Sequence, residues 1–302
     1  MDKPHCKVCG GKVQWRGTMK AKLLSITQTR RRYQCSTCGA WDSTPPRHDR
    51  PAKILLLDIE TLPMEYYVWN PEQNYLQPEL QIKDWSISCW SAKWLFDKEI
   101  MGETVTPKEA TERRDGSILG KIWKLVDEAD IVVTQNGIKF DMKRLNTKWL
   151  QYGYKPPSQY MNVDTLLTAR QKFDFTYNRL DELGEKFGIG RKTKMVFDDW
   201  KQCVRGDKKA LQKMLDYCKR DVAPLLEDVY LYMLPWMENH PNMNVFSQND
   251  KPCCRNCASS DISWNEEYVT PQGLWMGWRC NSCGAIGRGT SKEYKIWKTS
   301  VK

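Results

Sequence analysis

Residues 54–62 read ILLLDIETL, an apolar run followed by two acidic residues that stand one position apart. Four apolar residues in succession are typical of a strand that is covered on both faces, as in α/β sheets. Because side chains alternate along a strand, Asp58 and Glu60 share one face near its carboxyl end. Two like charges at the end of a buried strand are costly, so the pattern predicts that something compensates them.

After this strand, the middle of the chain alternates between strand and helix patterns. Strands are predicted at 86–95, 98–105, 131–136 and the start of 161–172, and helices at 117–130, 138–151, the rest of 161–172, 178–192 and about 207–234. The first two of these strands would form a meander with the opening strand. This order predicts an α/β domain in the middle of the chain.

Two more acids and a tyrosine extend this set. Asp141 lies in the first turn of the helix at 138–151, whereas Tyr217 and Asp221 lie four residues apart on one face of the last helix. Hard divalent cations such as Mg²⁺ and Mn²⁺ prefer carboxylate oxygens, and two of them would neutralise four acids. With two such cations, the set predicts in-line displacement at a phosphodiester.

Each of these residues also has a purely structural interpretation. Asp58 and Glu60 could end a solvated strand, Asp141 could favour a helix N-terminus, Asp221 could lie on a helix surface, and Tyr217 could be a core aromatic residue. The order and the domain-like spacing of all five favour the catalytic interpretation.

The segments DIET (58–61), NGIKFD (136–141) and YCKRD (217–221) resemble the three motifs of the DEDD superfamily of 3′–5′ exonucleases. The middle motif is similar to that of the proofreading domains of B-family DNA polymerases. The resemblance covers roughly residues 50–240. It implies an RNase H-like fold, a mixed five-stranded sheet with flanking helices, in keeping with the strand and helix patterns.

The resemblance also implies roles for individual residues. The metal ligands, which would bind two Mg²⁺ or Mn²⁺ ions, are Asp58, Glu60, Asp141 and Asp221. Tyr217 would orient the attacking water and marks the DEDDy branch, because the sister branch has a histidine where this chain has Asp216. The residues that would flank the terminal nucleotide or shape the substrate cleft are Thr61, Leu62, Asn136 and Phe140.

Basic charge is concentrated at the two ends of the chain. The net charge is +10, of which residues 1–50 carry +8, residues 241–302 carry +3 and the middle carries −1. The same ends hold most of the cysteines, a coincidence that a merely solubilising basic surface does not explain. A near-neutral body with two cationic attachments predicts a nucleic acid as the partner.

Eight of the 12 cysteines form two sets of paired CxxC motifs: Cys6, Cys9, Cys35 and Cys38, then Cys254, Cys257, Cys280 and Cys283. Two CxxC pairs can complete a tetrahedral Zn²⁺ site, and disulfides are disfavoured inside cells. YQCSTCGA (33–40) echoes WRCNSCGA (278–285), so we interpret both ends as copies of one zinc ribbon with a structural Zn²⁺.

Neighbouring residues leave some assignments open. Cys253 stands beside Cys254, which the spacing favours as the ligand, and His5 stands beside Cys6. Asp164 ends a strand and is a candidate support for the acidic set. The scattered cysteines are interpreted as core residues: Cys89, Cys203 and Cys218.

Both ribbons carry residues that suit nucleic acid. The first has a basic run formed by Arg30, Arg31 and Arg32, and the second has aromatic residues at Trp264, Tyr268, Trp275 and Trp278. Cations beside aromatic faces are typical of a single-strand platform, although such aromatic residues also form the cores of small ribbons. Docking of a protein by either ribbon is a further alternative.

We therefore predict a metal-dependent 3′–5′ exonuclease with zinc ribbons at 1–48 and 241–302 and the catalytic domain at 49–240. Single-stranded DNA is favoured as the substrate, RNA is the alternative, and a replication or repair protein is a further partner. The competing hypothesis is a nucleic-acid-binding or adaptor protein without activity. Such a protein is expected to have lost an acid, and all four are present.

The sequence also predicts where the protein resides. It contains no run of about 18 apolar residues that could cross a membrane, and no apolar signal segment near Met1. These features predict an intracellular, cytoplasmic protein whose thiols stay reduced.

Overall fold

The computed structural model describes residues 13–23, 26–39, 41–42, 51–70, 72, 75–190, 195–246, 252–271 and 273–289. Its strands are β1 (Val13–Leu23), β2 (Ile26–Cys35), β3 (Trp41–Asp42), β4 (Ile54–Leu62), β5 (Glu65–Tyr66), β6 (Gln81–Lys83), β7 (Ser86–Trp94), β8 (Met101–Thr104), β9 (Ile131–Thr134), β10 (Met161–Asp164), β11 (Ile262–Thr270), β12 (Gly273–Cys280) and β13 (Ile286–Arg288). Its α-helices are α1 (Pro107–Glu112), α2 (Gly116–Glu128), α3 (Asp141–Gln151), α4 (Thr165–Lys172), α5 (Leu180–Lys186), α6 (Phe197–Val204), α7 (Lys208–Arg220) and α8 (Glu227–Met233).

The central sheet is mixed and has the strand order β10-β9-β4-β7-β8. β4 pairs in parallel with β9, and β9 with β10, whereas β7 pairs antiparallel with both β4 and β8. Because β4, β9 and β10 are parallel, their carboxyl ends meet at one edge of the sheet. The structure thus confirms the predicted mixed five-stranded sheet with flanking helices.

β4 lies in the middle of this sheet, between two hydrophobic clusters. Leu55 and Leu57 face one cluster and Leu56 faces the other, and all three are fully buried. Helices α2, α3, α6 and α7 contribute to the first cluster, and α4, α5 and α8 to the second. The apolar run before Asp58 is therefore the strand covered on both faces that its composition predicts.

The helical pattern at 207–234 corresponds to two helices. α7 ends at Arg220, and the stretch Asp221–Leu226 leads into α8 through Ala223, whose backbone is extended (φ −146°, ψ 130°). Pro224 causes the break, since it has no N–H to donate and disfavours a helical residue before it. The prediction of one long helix is therefore wrong, but Tyr217 still lies one turn before Asp221.

The small sheets at the two ends of the chain share one strand order, and their second and third strands pair in the same register. β2 pairs antiparallel with β1 and β3, as β12 does with β11 and β13. Tyr33, two residues before Cys35, pairs with Asp42, and Trp278, two residues before Cys280, pairs with Gly287. The repeat in the sequence thus extends to the pairing of the backbones.

The C-terminal sheet is attached to the central domain just beyond α8. The Asn256 side-chain amide donates hydrogen bonds to the carbonyls of Leu234 (2.7 Å) and Met237 (3.2 Å). The backbone N–H of Met243 donates to the carbonyl of Arg255 (2.7 Å). These bonds hold the turn between the first two cysteines of this sheet against the end of the domain.

Candidate active site

Three carboxylates meet at the carboxyl end of β4. Asp58, Glu60 and Asp221 each offer an oxygen within 4.8 Å of the others. Asp58 and Glu60 lie on β4, and Asp221 follows the last residue of α7. β9 pairs with β4 only as far as Leu56, so β4 projects beyond its neighbour where the acids lie.

Asp141 joins this group through the backbone of β4. It is the first residue of α3, and its side chain is buried. Its Oδ1 accepts a hydrogen bond of 3.0 Å from the N–H of Ile59, which stands between Asp58 and Glu60. All four acids that the sequence singled out therefore lie around one segment of a central strand.

Asp164 holds the turn that delivers Asp141. Its buried carboxylate accepts hydrogen bonds from the backbone N–H groups of Asn136 (2.9 Å) and Ile138 (3.3 Å). Asn136 has a left-handed backbone (φ 65°), and a Cβ on Gly137 would collide with the Thr134 side chain. Because of this tight turn, α3 begins at Asp141 and not at the predicted residue 138. Asp164 supports the site but is not one of the three converging carboxylates.

Cys218 borders the acids from α7, a position that sequence reasoning missed. The buried thiol lies 3.4 Å from both the carbonyl oxygen and Oδ2 of Asp58. Burial, the hydrogen bond with the Cys89 thiol and the charge of Asp58 raise the pKa of Cys218 well above its ordinary value. Cys218 is therefore a neutral donor beside Asp58, and its place inside the YCKRD motif was the only hint in the sequence.

The residues predicted to contact the substrate differ in their accessibility. A register shift between Glu60 and Thr61 redirects the end of β4, where Thr61 is half-buried and Leu62 fully buried. Phe140 is half-buried, and its ring lies 5.0 Å from the guanidinium of Arg144, which also stacks on Trp85 at 4.2 Å. Thr61 and Phe140 are thus accessible to a ligand, whereas the Leu62 side chain belongs to the core.

Two adjoining grooves open next to this site and share Met195 and Tyr217. The larger groove, of about 730 Å³, lies between the end of β9, α4 and the loop that precedes α5, and Asn136 is part of its lining. The smaller groove, of about 330 Å³, follows α7 from Lys209 to Arg220. Tyr217 is thus placed where both grooves meet.

A second cluster of ligand-type residues lies in the C-terminal sheet. The thiols of Cys254, Cys257, Cys280 and Cys283 lie within 4.8 Å of one another. The Sγ–Sγ distance is 3.6 Å for the pair Cys254 and Cys283 and for the pair Cys257 and Cys280. Four sulfurs bound at about 2.3 Å around one tetrahedral ion would be about 3.8 Å apart, so the cluster has the dimensions of a Zn²⁺ site.

Cys254, and not its neighbour Cys253, belongs to this cluster. Hydrogen bonds from the thiols of Cys257 and Cys283 lower the pKa of Cys254 well below its ordinary value. The backbone N–H of Asn256 also donates to its sulfur (3.4 Å). These donors stabilise a thiolate, which is the form that binds Zn²⁺.

In the N-terminal sheet, the structure describes one of the two cysteine pairs, Cys35 and Cys38, and this pair has the same local geometry. The N–H of Cys38 donates to the sulfur of Cys35 at 3.5 Å, as the N–H of Cys283 does to the sulfur of Cys280 at 3.5 Å. Other predicted residues of this end lie outside what the structure describes: His5, Cys6, Cys9 and the side chains of Arg30, Arg31 and Arg32.

A family model of the RNase H superfamily matches residues 76–232, more than half of the chain. The chain belongs to the RNase H superfamily. The match begins after β4, so that it includes Asp141, Tyr217 and Asp221 but not Asp58 and Glu60. Members of this superfamily are mostly nucleases, and RNase H-like nucleases usually use divalent metal ions. Nuclease activity is therefore the function that the family supports.

Solved structures also include similar chains. One is the family B DNA polymerase from the hyperthermophilic archaeon Pyrobaculum calidifontis, with 17% sequence identity and a TM-score of 0.45. The similarity covers 74% of this RNase H-like chain and 29% of the polymerase chain, which is less than a third of the polymerase. No curated protein matches the sequence. Within the described residues, no helix has the length and apolar content needed to cross a membrane.

Proposed function

We propose that this RNase H-like protein is a metal-dependent 3′–5′ exonuclease of the DEDDy type that releases nucleoside monophosphates. One observation carries the proposal. The carboxylates of Asp58, Glu60 and Asp221 converge within 4.8 Å, and Asp141 is bonded to the strand segment between the first two. Single-stranded DNA is the proposed substrate, because NGIKFD is similar to the middle motif of proofreading domains.

The donor set fits hard divalent cations. Asp141 and Asp221 are only 3% and 2% exposed, and buried negative charge is costly without a positive partner. Opposite oxygen ligands of one Mg²⁺ ion lie about 4.2 Å apart, and the three converging oxygens lie within 4.8 Å of one another, so they can reach a common ion. We infer that Asp58, Glu60, Asp141 and Asp221 hold two Mg²⁺ or Mn²⁺ ions. When bound, these ions supply charge neutralisation and a water of lowered pKa.

The remaining residues of the site orient the reactants. Tyr217 lies one turn before Asp221, and its hydroxyl would hold the attacking water in line with the last phosphodiester. Thr61, Asn136 and Phe140 would surround the terminal nucleotide, which fixes the scissile bond against the acids. Tyrosine is the available residue for this role, since the chain has no histidine between residues 48 and 240.

We further propose that the cysteine cluster of the C-terminal sheet holds a structural Zn²⁺ and that Cys6, Cys9, Cys35 and Cys38 hold another. The chain would then comprise ribbons at 1–48 and 241–302 around the catalytic domain at 49–240. In the second ribbon, the guanidinium of Arg288 stacks on Trp275 at 4.0 Å, and Tyr268 pairs across the strands with Trp275. A cation beside two aromatic rings supports binding of a single strand.

The test is digestion of 5′-labelled single-stranded DNA and RNA in the presence of Mg²⁺, Mn²⁺ or EDTA. We expect a ladder that shortens by single nucleotides from the 3′ end and requires both the metal and Asp58. Asp58→Ala should abolish the ladder, whereas the control Glu99→Ala, at an exposed acid, should leave it unchanged. Binding of both polymers without cleavage would overturn the proposal and favour a binding protein, and a ladder on RNA alone would overturn the choice of DNA.

A further inference from the structure

The larger groove beside Tyr217 combines positive charge with an exposed aromatic ring. Arg170 and Arg179 are exposed and line it, and the Tyr177 side chain in the same lining is 59% exposed. Within the described part of the chain, neither arginine forms an ion pair, and Asp181 is the one acid in the lining. The groove therefore offers two free guanidinium groups and a ring face next to the acidic site.

We propose that this groove holds the single-stranded segment that adjoins the bond to be cleaved. Arg170 and Arg179 bind phosphates of the strand, and Tyr177 stacks on one of its bases. The groove volume of about 730 Å³ lies within the range of small-ligand sites, which suits a few unpaired nucleotides. This inference rests on the proposed exonuclease function, because it assigns the path by which the substrate reaches that site.

The loop that carries Tyr177 and Arg179 is fixed from beneath by aromatic contacts. Phe173 and Phe175 pack on each other (5.2 Å between ring centres), and Phe175 packs edge-on against Phe187 (5.9 Å). The Tyr177 side chain is exposed, whereas the two phenylalanines are half-buried. A fixed platform loses little conformational entropy when a strand binds.

A hydrogen bond ties the same loop to the catalytic edge of the sheet. The side-chain amide of Gln135, which follows β9, donates to the carbonyl of Asn178 at 2.8 Å. Asn136, the next residue, lines the groove and starts the turn that leads to Asp141. The backbone next to Arg179 is therefore held at a set position relative to the edge of the sheet that carries the acids.

The smaller groove continues the path along α7. Lys209, Lys213 and Arg220 line it together with Asp216, and Tyr217 separates it from the larger groove. Lys213 pairs with Asp199 (2.7 Å), which leaves Lys209 as the cation at the far end. The lining of both grooves together carries more positive than negative groups, as binding of a polyanion requires.

The test compares the binding of a 5′-fluorescein-labelled ten-nucleotide single strand by fluorescence anisotropy, in an Asp58→Ala background that prevents cleavage. Arg170→Ala with Arg179→Ala should weaken binding at least about tenfold and reduce the slope of log K against log salt by about 1.4, since each phosphate contact of a single strand contributes about 0.7. The matched control removes two exposed lysines that do not line the grooves, Lys124→Ala with Lys143→Ala, and should change neither quantity.

Tyr177 provides a second, independent measurement. Tyr177→Ala should weaken binding about tenfold, whereas Tyr177→Phe, which keeps the ring, should bind as the parent does. Unchanged binding and salt slope in both the arginine and the Tyr177→Ala variants would overturn the inference.

A small substrate separates this inference from the proposed function. With Asp58 restored, the arginine variants should raise KM for the oligonucleotide but leave hydrolysis of the p-nitrophenyl ester of thymidine 5′-monophosphate unchanged, because that ester occupies only the catalytic end. Equal losses on both substrates would overturn the groove assignment. If nothing is hydrolysed by the intact protein, the exonuclease function fails, while the anisotropy data still decide whether the groove binds a strand.

Discussion

The acidic site and the cysteine cluster both suit divalent cations, but the chain assembles them in opposite ways. Asp58 and Asp221 are far apart in sequence and meet only because α7 packs against the central sheet. The four cysteines come from two short turns of one small sheet. The fold is thus needed to form the first site, whereas the second lies within one small sheet, whose folding a bound ion would support.

The two sites also differ in how accessible they are to solvent. Tyr217, one turn before Asp221, lines two grooves of about 730 and 330 Å³ that are open to solvent, so water and substrate can approach the acids from there. Cys254 and Cys280 are buried, and four thiolates leave no coordination position for a reactant. These surroundings suit an exchangeable ion at the acids and a permanently bound ion at the cysteines, and four predictions test that difference.

The largest effect is expected at the acidic site. Glu60→Gln removes one charged ligand, so kcat should fall at least about 1,000-fold, equivalent to several kcal/mol of lost transition-state stabilisation. Stability should be unchanged or higher, because a like charge has been removed from the cluster. Steady-state kinetics and thermal unfolding check both statements, with Glu99→Gln as the exposed control. Full activity of Glu60→Gln would show that the acidic site is not the catalytic centre.

The cysteine cluster should show the reverse pattern. Cys280→Ser should remove one equivalent of zinc and lower the free energy of unfolding by roughly 3 kcal/mol, which for a domain of this size lowers Tm by roughly 6–12 °C. Activity per folded molecule should persist. Metal analysis and calorimetry measure this, and Cys253→Ser is the matched control that keeps its zinc. A full zinc content in Cys280→Ser would contradict the assignment.

A smaller effect should follow from loosening the acidic site without touching a ligand. Asp164→Ala releases the N–H groups of Asn136 and Ile138, so the turn before Asp141 can shift. Metal affinity and kcat/KM should each fall roughly 10–100-fold, as is usual for groups that orient ligands. Titration of activity with Mg²⁺ measures the shift. Thr106→Ala, which removes the cap of a distant helix, should cost stability without changing the Mg²⁺ requirement.

The smallest effect concerns pH and the junction with the cysteine-bearing sheet. His240 is 3% exposed, accepts a hydrogen bond from the Tyr230 hydroxyl at Nε2 (2.8 Å) and donates one from Nδ1 to the carbonyl of Pro241 (2.9 Å). Burial lowers the pKa of His240 to about 4. Below the ordinary pKa of about 6.5, His240 binds a proton in the unfolded chain but stays neutral in the folded chain. Stability that is present above pH 6.5 is therefore lost as the pH falls towards 4.

The expected loss from this histidine is up to about 2 kcal/mol between pH 7 and pH 5. Urea unfolding at the two pH values measures it. His240→Gln, which cannot titrate, should show a correspondingly flatter dependence on pH. An equal loss in both proteins would assign the acid sensitivity to other groups.

Local patterns were enough to predict the centre of the fold and the composition of the acidic site. The apolar run of β4 and the alternation of Asp58 and Glu60 depend on strand geometry alone. Pro224 is also a local signal for the break between α7 and α8. The amphipathic pattern continues on both sides of Pro224, however, and for that reason it predicted one helix. Periodicity records which face of an element is apolar, and it does not record where a helix changes direction.

Features that depend on contacts between distant segments could not be predicted. The thiol of Cys218 meets Asp58 only because α7 crosses the sheet, and the groove near Tyr177 forms only where the loop before α5 approaches α7. The bond between Gln135 and Asn178 is of the same kind, since single polar side chains have no periodicity. Such contacts depend on tertiary packing, and the spacing of residues within a short segment carries no information about them.

The bonds from Asn256 to the carbonyls of Leu234 and Met237 bear on how this chain can be divided. α8 begins six residues after Asp221 and ends one residue before Leu234, which accepts a hydrogen bond from Asn256. The segment that contains α8 therefore connects the acidic site with the turn between Cys254 and Cys257. A protein cut after His240 would retain every acid yet lose the donors that secure its last helix. The C-terminal sheet therefore supports the end of the RNase H-like domain, and removing it should loosen the segment that follows α8.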